Sequence, residues 1–220
     1  MAVKILLIRH GESEANIYHK FSGSMDVKLT EKGIWQAARL ANRLQEEKID
    51  QVYCSTLTRA KHTAEIVFKS RKKKIISNAG FMEMNFGIWE GLTYEEVKSK
   101  FGLSEDYFSW QPYINIKVPI PEGESIIKLN ERVMHAFTGI LDKHKASKKD
   151  ETIAIVCHGG TIRIILLNAL NMELEKIWNL AQDSTALNII YYDNGPAIVK
   201  LVNDTSHLDN WWENDKKEDE

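Results

Sequence analysis

Short apolar runs alternate along the chain with stretches that repeat apolar residues at helical spacing. The clearest run, Ile5–Ile8, is followed at once by Arg9, His10 and a glycine. A short apolar run that stops at a glycine is typical of a buried strand. A second run, Glu151–Cys157, ends in the same way, with His158 and two glycines. The two runs predict strands that each deliver a histidine to one edge of a sheet, because the carboxyl ends of parallel strands meet there.

Further strands and helices follow from the same pattern. Asn194-Gly195 is a strong hairpin turn between the last two predicted strands. Thr30 is a suitable N-cap, and Thr93 with Glu96 forms a capping box. The other predicted strands are 51–54, 75–76, 186–192 and 197–202, and the predicted helices are 12–19, 31–44, 59–69, 94–101, 126–144, 161–170 and 174–180. Strands that alternate with helices predict an α/β fold.

Composition narrows the class of protein. With 220 residues, of which 43% are hydrophobic and 27% charged, the chain is expected to form one globular domain over residues 1–209. The charged segment 210–220 lacks apolar periodicity and is expected to be a disordered tail. A net charge of −2 gives no general reason to bind nucleic acid or a membrane surface. Cys54 and Cys157 are expected to be free thiols in a cytoplasmic protein.

The predicted sheet edge gathers residues with matching chemistry. Arg59 follows the second strand, so two arginines and two histidines converge if Arg9, His10 and His158 lie at the same edge. Such a set suits a doubly charged oxyanion such as a phosphoryl group. Glu83, between large apolar side chains, is a candidate general acid. Taken alone, the two residues fit a structural role equally well, in which Arg9 forms an ion pair and His10 is a hydrogen-bonded histidine in a turn.

Four spaced motifs then carry a family resemblance. They are RHGESEAN (9–16), STLTRAKHTAE (55–65), MEMNFGIWEG (82–91) and CHGGTIR (157–163). Together with LTEKG and PEGES they run in order over residues 3–207, and they resemble the histidine phosphatase superfamily, with its phosphoglycerate mutase-like fold. The resemblance implies a three-layer α/β/α architecture with a mostly parallel central sheet. It also implies an inserted helical or loop excursion, at about 92–125, over the active-site end.

The resemblance further implies roles for the matching residues. His10 would attack phosphorus, Arg9, Arg59 and His158 would hold the phosphoryl oxygens, and Glu83 would protonate the leaving oxygen. Further phosphate contacts would come from Asn16, Ser22, Gly23 and Gly159. The partner would be a small phosphorylated metabolite, such as α-ribazole 5′-phosphate or phosphoserine, or a broad range of them. No metal or cofactor is implied, and the protein is expected to be a monomer or a homodimer.

Several alternatives stay open on the sequence. A phosphoglycerate mutase would use the same residues but return the phosphoryl group to its substrate. Cys157 and Arg163 satisfy C-x5-R, the loop of cysteine-dependent phosphatases. A phospho-ligand binding module without catalysis is a third alternative. Glu90 could replace Glu83 as the acid, although its position is more typical of packing, and His207 lies where the family's tail often returns towards the site.

Two residues depart from the family's pattern. Ser22 stands where many of these phosphatases carry glutamine, and Glu122 stands where a second glycine is usual. The resemblance to the family therefore does not extend to these two positions.

Overall fold

The computed structural model describes residues 1–71, 73–102 and 120–208, and these contain one six-stranded sheet. The strand order is β3-β2-β4-β1-β5-β6. The first four strands in that order pair in parallel, whereas β5 pairs antiparallel with β1 and β6. The strands are β1 Val3–Arg9, β2 Gln51–Cys54, β3 Ile75–Ser77, β4 Glu151–Cys157, β5 Leu187–Tyr192 and β6 Ile198–Asp204. The prediction of an α/β fold with a mostly parallel sheet is confirmed.

The helices occupy the predicted stretches with two corrections. They are α1 Glu14–Ile17, α2 Glu31–Arg43, α3 Thr58–Phe68, α4 Tyr94–Phe101, α5 Ile126–Lys145 and α6 Gly159–Ala169. Helix α6 begins two residues before the predicted Thr161, because extended His158 serves as its N-cap and the glycines already adopt helical geometry. The predicted helix at 174–180 is instead a 3-10 helix, Leu174–Asn179. Thr30 caps α2 by accepting a hydrogen bond from Gly33, as predicted.

Both faces of the sheet are covered, which explains the unbroken apolar run in β1. Ile5 and Leu7 belong to a core shared with α5 and α6, whereas Leu6 and Ile8 belong to a second core shared with α2 and α3. Successive side chains of a strand point to opposite faces, so a strand buried on both sides needs apolar residues at every position. The helices form the outer layers of the expected α/β/α sandwich.

The register brings the strand ends together at one edge. Arg9 at the end of β1 is paired with Cys157 at the end of β4. The pairing continues one step beyond the strands, because the amide of His10 donates to the carbonyl of Cys157 at 3.0 Å. On the other side of β4, the amide of Ser55 donates to Val156 at 2.9 Å. His10, Ser55 and the residue after Cys157 therefore begin three neighbouring loops.

The predicted excursion is described only at its two ends. Helix α4 carries the predicted capping box at Thr93, and it ends at Gly102 with a φ of 61°. The chain is described again from Ile120, and Glu122 adopts a left-handed φ of 60°. The part of the excursion at 103–119, with its aromatic stretch 107–113, and the tail at 209–220 lie outside the described residues. In the described part of the chain, no helix is long and apolar enough to cross a membrane.

Candidate active site

His10 and His158 face each other at the carboxyl edge of the sheet. Their ring centroids are 5.1 Å apart, and the two rings are inclined by 59°. His10 is 3% exposed and His158 is fully buried. The sequence prediction that the two strand ends bring these histidines together is therefore confirmed as geometry.

A hydrogen bond fixes the tautomer of His10. Its Nδ1 lies 2.7 Å from the carbonyl oxygen of Gly11. Since a carbonyl can only accept, Nδ1 carries the proton and Nε2 keeps a free lone pair. Burial, and then the charges of Arg59 and Arg9, hold the pKa of His10 well below its ordinary value. His10 is therefore neutral at neutral pH, with Nε2 available as a nucleophile.

His158 is oriented by Ser55, a residue that the sequence prediction missed. The Nε2 of His158 lies 2.8 Å from Ser55 Oγ, and both residues are fully buried. Among the described residues, His158 Nδ1 finds no hydrogen-bond partner. Burial first, and then neighbouring cations, lower the pKa of His158 well below its ordinary value. Ser55 follows β2 directly, as His10 follows β1. This position after a strand could have identified Ser55 as a candidate site residue in the sequence.

Arg9 and Arg59 are cations held by backbone carbonyls. Arg9 Nη1 donates to the carbonyl of Gln182. Arg59 is fully buried and donates through Nη1 to Met25 and through Nη2 to Gly23, both at 2.7 Å. Within the described chain, the Nε of each arginine has no acceptor. Burial lowers the pKa of Arg59 to about 10, which still leaves it charged at neutral pH.

Glu83 lies in the loop after β3, and its carboxylate reaches the start of α6. Its Oε2 accepts a hydrogen bond from the amide of Gly160 at 3.0 Å, and its Oε1 accepts one from Met84 at 2.9 Å. A Cβ on Gly160 would lie only 2.4 Å from Glu83 Oε1. The lack of a side chain at the second glycine of the motif thus lets the carboxylate approach the first turn of α6. A cavity of about 800 Å³ borders Glu83 and is also lined by Ser24 and Asn85.

Among the other predicted phosphate contacts, the described hydrogen bonds join Gly23 to Arg59, whereas those of Asn16 and Ser22 stay within their own loops. Asn16 Oδ1 accepts from the amide and the hydroxyl of Ser13, at 3.0 and 2.8 Å, so its carbonyl end is engaged in capping α1. Gly23, at a φ of 41°, offers its carbonyl to Arg59. The carbonyl of Ser22 accepts from Met25 at 2.8 Å in the same loop.

Gly159 is the first residue of α6. A Cβ at this position would lie 3.2 Å from Arg163 Nη1 and 3.7 Å from Arg9 Nε. Two guanidinium groups thus flank the start of this helix, and the partial positive charge of a helix N-terminus itself favours an anion.

Glu90 has the packing role that the sequence favoured. Its Oε1 accepts from the amide and the hydroxyl of Ser24, at 2.7 and 2.8 Å, and from the amide of Phe86 at 3.1 Å. These bonds join the loop that holds Arg59 to the loop that follows Glu83. None of the described hydrogen bonds of Glu90 joins it to His10.

The structure argues against Cys157 as a nucleophile. Cys157 is fully buried in the core that α5 and α6 cover, and burial raises the pKa of its thiol. A thiol nucleophile needs the opposite conditions, namely exposure and a lowered pKa. Arg163 donates through Nε to Leu180 at 2.7 Å, and its guanidinium lies 5.0 Å from the centre of the Trp178 ring. Arg163 is therefore held by the segment 178–180, while its Nη1 lies beside the start of α6.

His207 lies behind the site and is joined to it by one residue. Its Nε2 lies 3.0 Å from Thr185 Oγ1, and the amide of Thr185 donates to the carbonyl of His10 at 3.2 Å. Burial lowers the pKa of His207 to about 4. Thr185 adopts a left-handed φ of 57°, which is uncommon for a β-branched residue. In the described residues no group of three or more His, Cys, Asp or Glu could hold a metal ion.

Comparisons with known proteins agree with the geometry. Phosphoserine phosphatase 1 of Hydrogenobacter thermophilus is 30% identical over 208 residues, which cover 94% of both chains. Phosphoglycerate mutase-like protein 4 of Arabidopsis thaliana is 35% identical over 212 residues, covering 94% of this chain and 87% of the relative. The crystal structure of the α-ribazole phosphatase from Shigella flexneri superimposes with a TM-score of 0.80 at 28% identity, covering 92% of this chain and 96% of that one. The model of the histidine phosphatase superfamily (branch 1) matches residues 5–205. The chain belongs to this superfamily.

Proposed function

We propose that the protein is a phosphomonoester hydrolase that acts on a small phosphorylated metabolite through a phosphohistidine intermediate and without a metal ion. The observation that supports this most directly is His10, whose Nδ1 is hydrogen-bonded to the carbonyl of Gly11, which leaves Nε2 free, and whose ring lies 5.1 Å from that of a second buried histidine. Arg9 and Arg59 lie beside the pair, each with an unpartnered buried Nε among the described residues. A tetrahedral dianion supplies the acceptor oxygens that these donors need.

In the first step, His10 Nε2 attacks phosphorus and the ester P–O bond breaks. Glu83, in its protonated form, transfers its proton to the leaving oxygen, so the alcohol departs neutral. Arg9, Arg59 and His158 stabilise the charge on the three phosphoryl oxygens in the transition state.

In the second step, a water molecule attacks the phosphohistidine. The Glu83 carboxylate left by the first step takes the proton of this water, and the P–N bond breaks. Inorganic phosphate leaves, His10 is neutral again, and Glu83 is protonated for the next cycle. The same carboxyl group therefore serves as acid and then as base.

The substrate belongs to the proposal as well. The relatives named above are a phosphoserine phosphatase, an α-ribazole phosphatase and a phosphoglycerate mutase-like protein. We therefore propose that the substrate is a small phosphorylated metabolite. Hydrolysis of a panel that includes phosphoserine, α-ribazole 5′-phosphate and 3-phosphoglycerate would choose among them. We further propose a cytoplasmic monomer or homodimer, in which the buried Cys54 and Cys157 remain free thiols.

The test combines turnover with labelling. We expect release of inorganic phosphate from p-nitrophenyl phosphate in EDTA at mildly acidic to neutral pH. We also expect a phosphoenzyme that is labile to acid, stable to alkali and absent in His10→Ala. Absence of turnover across this pH range would favour a binding module, and exchange of phosphoryl groups between phosphoglycerates without release of phosphate would favour a mutase.

A matched pair of variants tests the cysteine alternative. Cys157→Ser should retain turnover, since its thiol is enclosed in the core, whereas His10→Ala should lose it. Loss of turnover in a folded Cys157→Ser protein, with His10→Ala still active, would reject the histidine mechanism.

A further inference from the structure

Arg132, on helix α5, contacts the backbone of the loop that carries Glu83. Its Nη1 donates to the carbonyls of Gly80 at 2.9 Å and Met82 at 3.0 Å. Its Nη2 donates to the carbonyl of Glu83 itself at 3.3 Å. Three carbonyls within four residues of chain are thus bound by one side chain.

The remaining donors of Arg132 bind Glu124. Nε donates to Glu124 Oε1 at 2.9 Å and Nη2 donates to Oε2 at 2.7 Å, which is a bidentate pair. Nε, Nη1 and Nη2 together make five hydrogen bonds, which matches the donor capacity of a guanidinium group. The backbone of Glu124 is itself joined to the loop, because its amide donates to Asn85 at 2.8 Å.

This arrangement fixes a loop with little regular structure. Before Glu83, the loop after β3 contains only the 3-10 turn Ala79–Phe81. Several of its carbonyls therefore have no partner in a helix or sheet, and side chains supply the hydrogen bonds that these carbonyls need. Thr161 on α6 adds one more bond, to Met82 at 2.9 Å. Glu124 forms an ion pair with Arg132, whose charge is one of the causes that lower the pKa of His158.

We propose that the Arg132–Glu124 pair is a positioning device for Glu83, holding its main chain so that the carboxyl group meets the leaving oxygen. The inference rests on the proposed function, because it assigns Glu83 the role of general acid. Arg132 does not touch the phosphoryl group in this proposal. It acts through the carbonyls of the Glu83 loop, and its loss misplaces the acid without removing it.

The proposal makes a prediction that a purely structural role does not. Phenyl phosphate and p-nitrophenyl phosphate are similar in shape, but phenolate is a much stronger base than nitrophenolate and depends more on protonation as it leaves. kcat/KM reports the steps up to the release of the alcohol, so it isolates the reaction in which Glu83 is the acid. Arg132→Lys keeps the charge but loses the planar fork. We expect it to lower the ratio of kcat/KM for phenyl phosphate to that for p-nitrophenyl phosphate about 10-fold or more.

Two further variants make the result decisive. Arg43→Lys is the matched control, because Arg43 forms an ion pair with Asp204 away from the Glu83 loop, and its ratio should equal that of the wild-type protein. Glu124→Gln removes the charge of the partner and should lower the ratio in the same direction by a smaller factor. It also supplies the comparison if Arg132→Lys does not fold, which thermal melting reveals.

The outcomes separate this proposal from the proposed function. An unchanged ratio in folded Arg132→Lys and Glu124→Gln, with both substrates hydrolysed by the wild-type protein, overturns the positioning role and leaves the phosphatase intact. Equal losses on both substrates also overturn it, because they indicate general damage to the site. No hydrolysis of either substrate by the wild-type protein rejects the proposed function and the positioning role with it.

Discussion

The contact between Gly160 and Glu83 allows a steric test of the general acid. The substitution is Gly160→Ala, which adds one methyl group in the first turn of α6. The new Cβ would lie 2.4 Å from Glu83 Oε1, 3.3 Å from Cδ and 3.6 Å from Oε2. An ordinary contact begins near 3.4 Å, so the carboxylate must move by about 1 Å.

A displacement of this size sets the expected loss of activity. A misplacement of about 1 Å in a catalytic group costs roughly 10²-fold in rate. We therefore expect kcat/KM for phenyl phosphate to fall about 100-fold in Gly160→Ala. Stability should fall by no more than about 2.5 kcal/mol, because the gain of about 0.5–1 kcal/mol from alanine in a helix offsets part of an overpacking cost of about 1–3 kcal/mol.

The measurement needs both kinetics and melting, with a second glycine as control. Gly139→Ala is the matched variant, because Gly139 lies in α5 and a Cβ there would meet nothing within 4 Å. It should retain activity and gain about 0.5–1 kcal/mol of stability. A folded Gly160→Ala protein that keeps more than half of its kcat/KM for phenyl phosphate would refute the assignment of Glu83.

Three further predictions concern pH and backbone strain. Arg59→Met should move the acidic limb of the kcat/KM profile to higher pH, because the charge of Arg59 helps to lower the pKa of His10; an unmoved limb contradicts the electrostatic argument. The pKa of His207 is lowered to about 4, so the unfolded chain binds more protons between about pH 4 and 6.5 and stability falls as the pH falls through this window. His207→Gln should therefore reduce this loss of stability by about 1–2 kcal/mol after allowance for solvent screening. Melting curves at pH 4.5 and 7 measure the loss in both proteins, and an equal loss in the wild-type protein and the variant contradicts the prediction. Glu122→Gly should stabilise the protein by up to about 1 kcal/mol in urea unfolding, because Glu122 has a φ of 60°, whereas Glu122→Ala, which keeps the strain, should give no such gain.

The strand ends were predictable because their signal is local. A strand buried on both faces must be apolar at every position, so Ile5–Ile8 and Glu151–Cys157 stand out in the sequence. Each run stops where its catalytic candidate begins, and parallel pairing then places His10 beside Cys157 and the histidine that follows it. The position of this edge therefore followed from hydrophobic pattern and topology alone.

The residues that the sequence did not reveal act across long separations. Ser55 orients His158 over 103 residues, Gln182 holds Arg9 over 173 residues, and Arg132 binds the Glu83 loop over about 50 residues. Each contact depends on the direction of a side chain after the fold has formed, and Arg9 and Arg132 bind backbone carbonyls, which every residue carries. Hydrophobic spacing carries no information about such directions, so these residues could be found only in three dimensions.

The departure at Glu122 shows how a sequence can keep a turn at an energetic cost. A glycine adopts the left-handed region freely, whereas another residue costs roughly 1–2 kcal/mol there. Glu122 nevertheless has a φ of 60°, and its loop still approaches Gly87 closely enough that a Cβ on that glycine would lie 2.1 Å from the carbonyl of Pro121. The turn is therefore fixed by its neighbours, including Glu124 and its bonds to Arg132, and the residue at 122 conforms to it.

Several buried nitrogen atoms at the carboxyl edge of the sheet have no hydrogen-bond partner among the described residues. Arg9 Nε, Arg59 Nε and His158 Nδ1 are buried without partners among the described residues, and each such atom costs free energy in the folded protein. The surrounding sheet and its two cores supply the stability that offsets this cost. The oxygens of an anion can accept hydrogen bonds from such donors, whereas an apolar ligand offers them no acceptor. The two arginines and the start of α6 add positive charge beside these atoms, and this combination supports the proposal that the site binds a phosphoryl group.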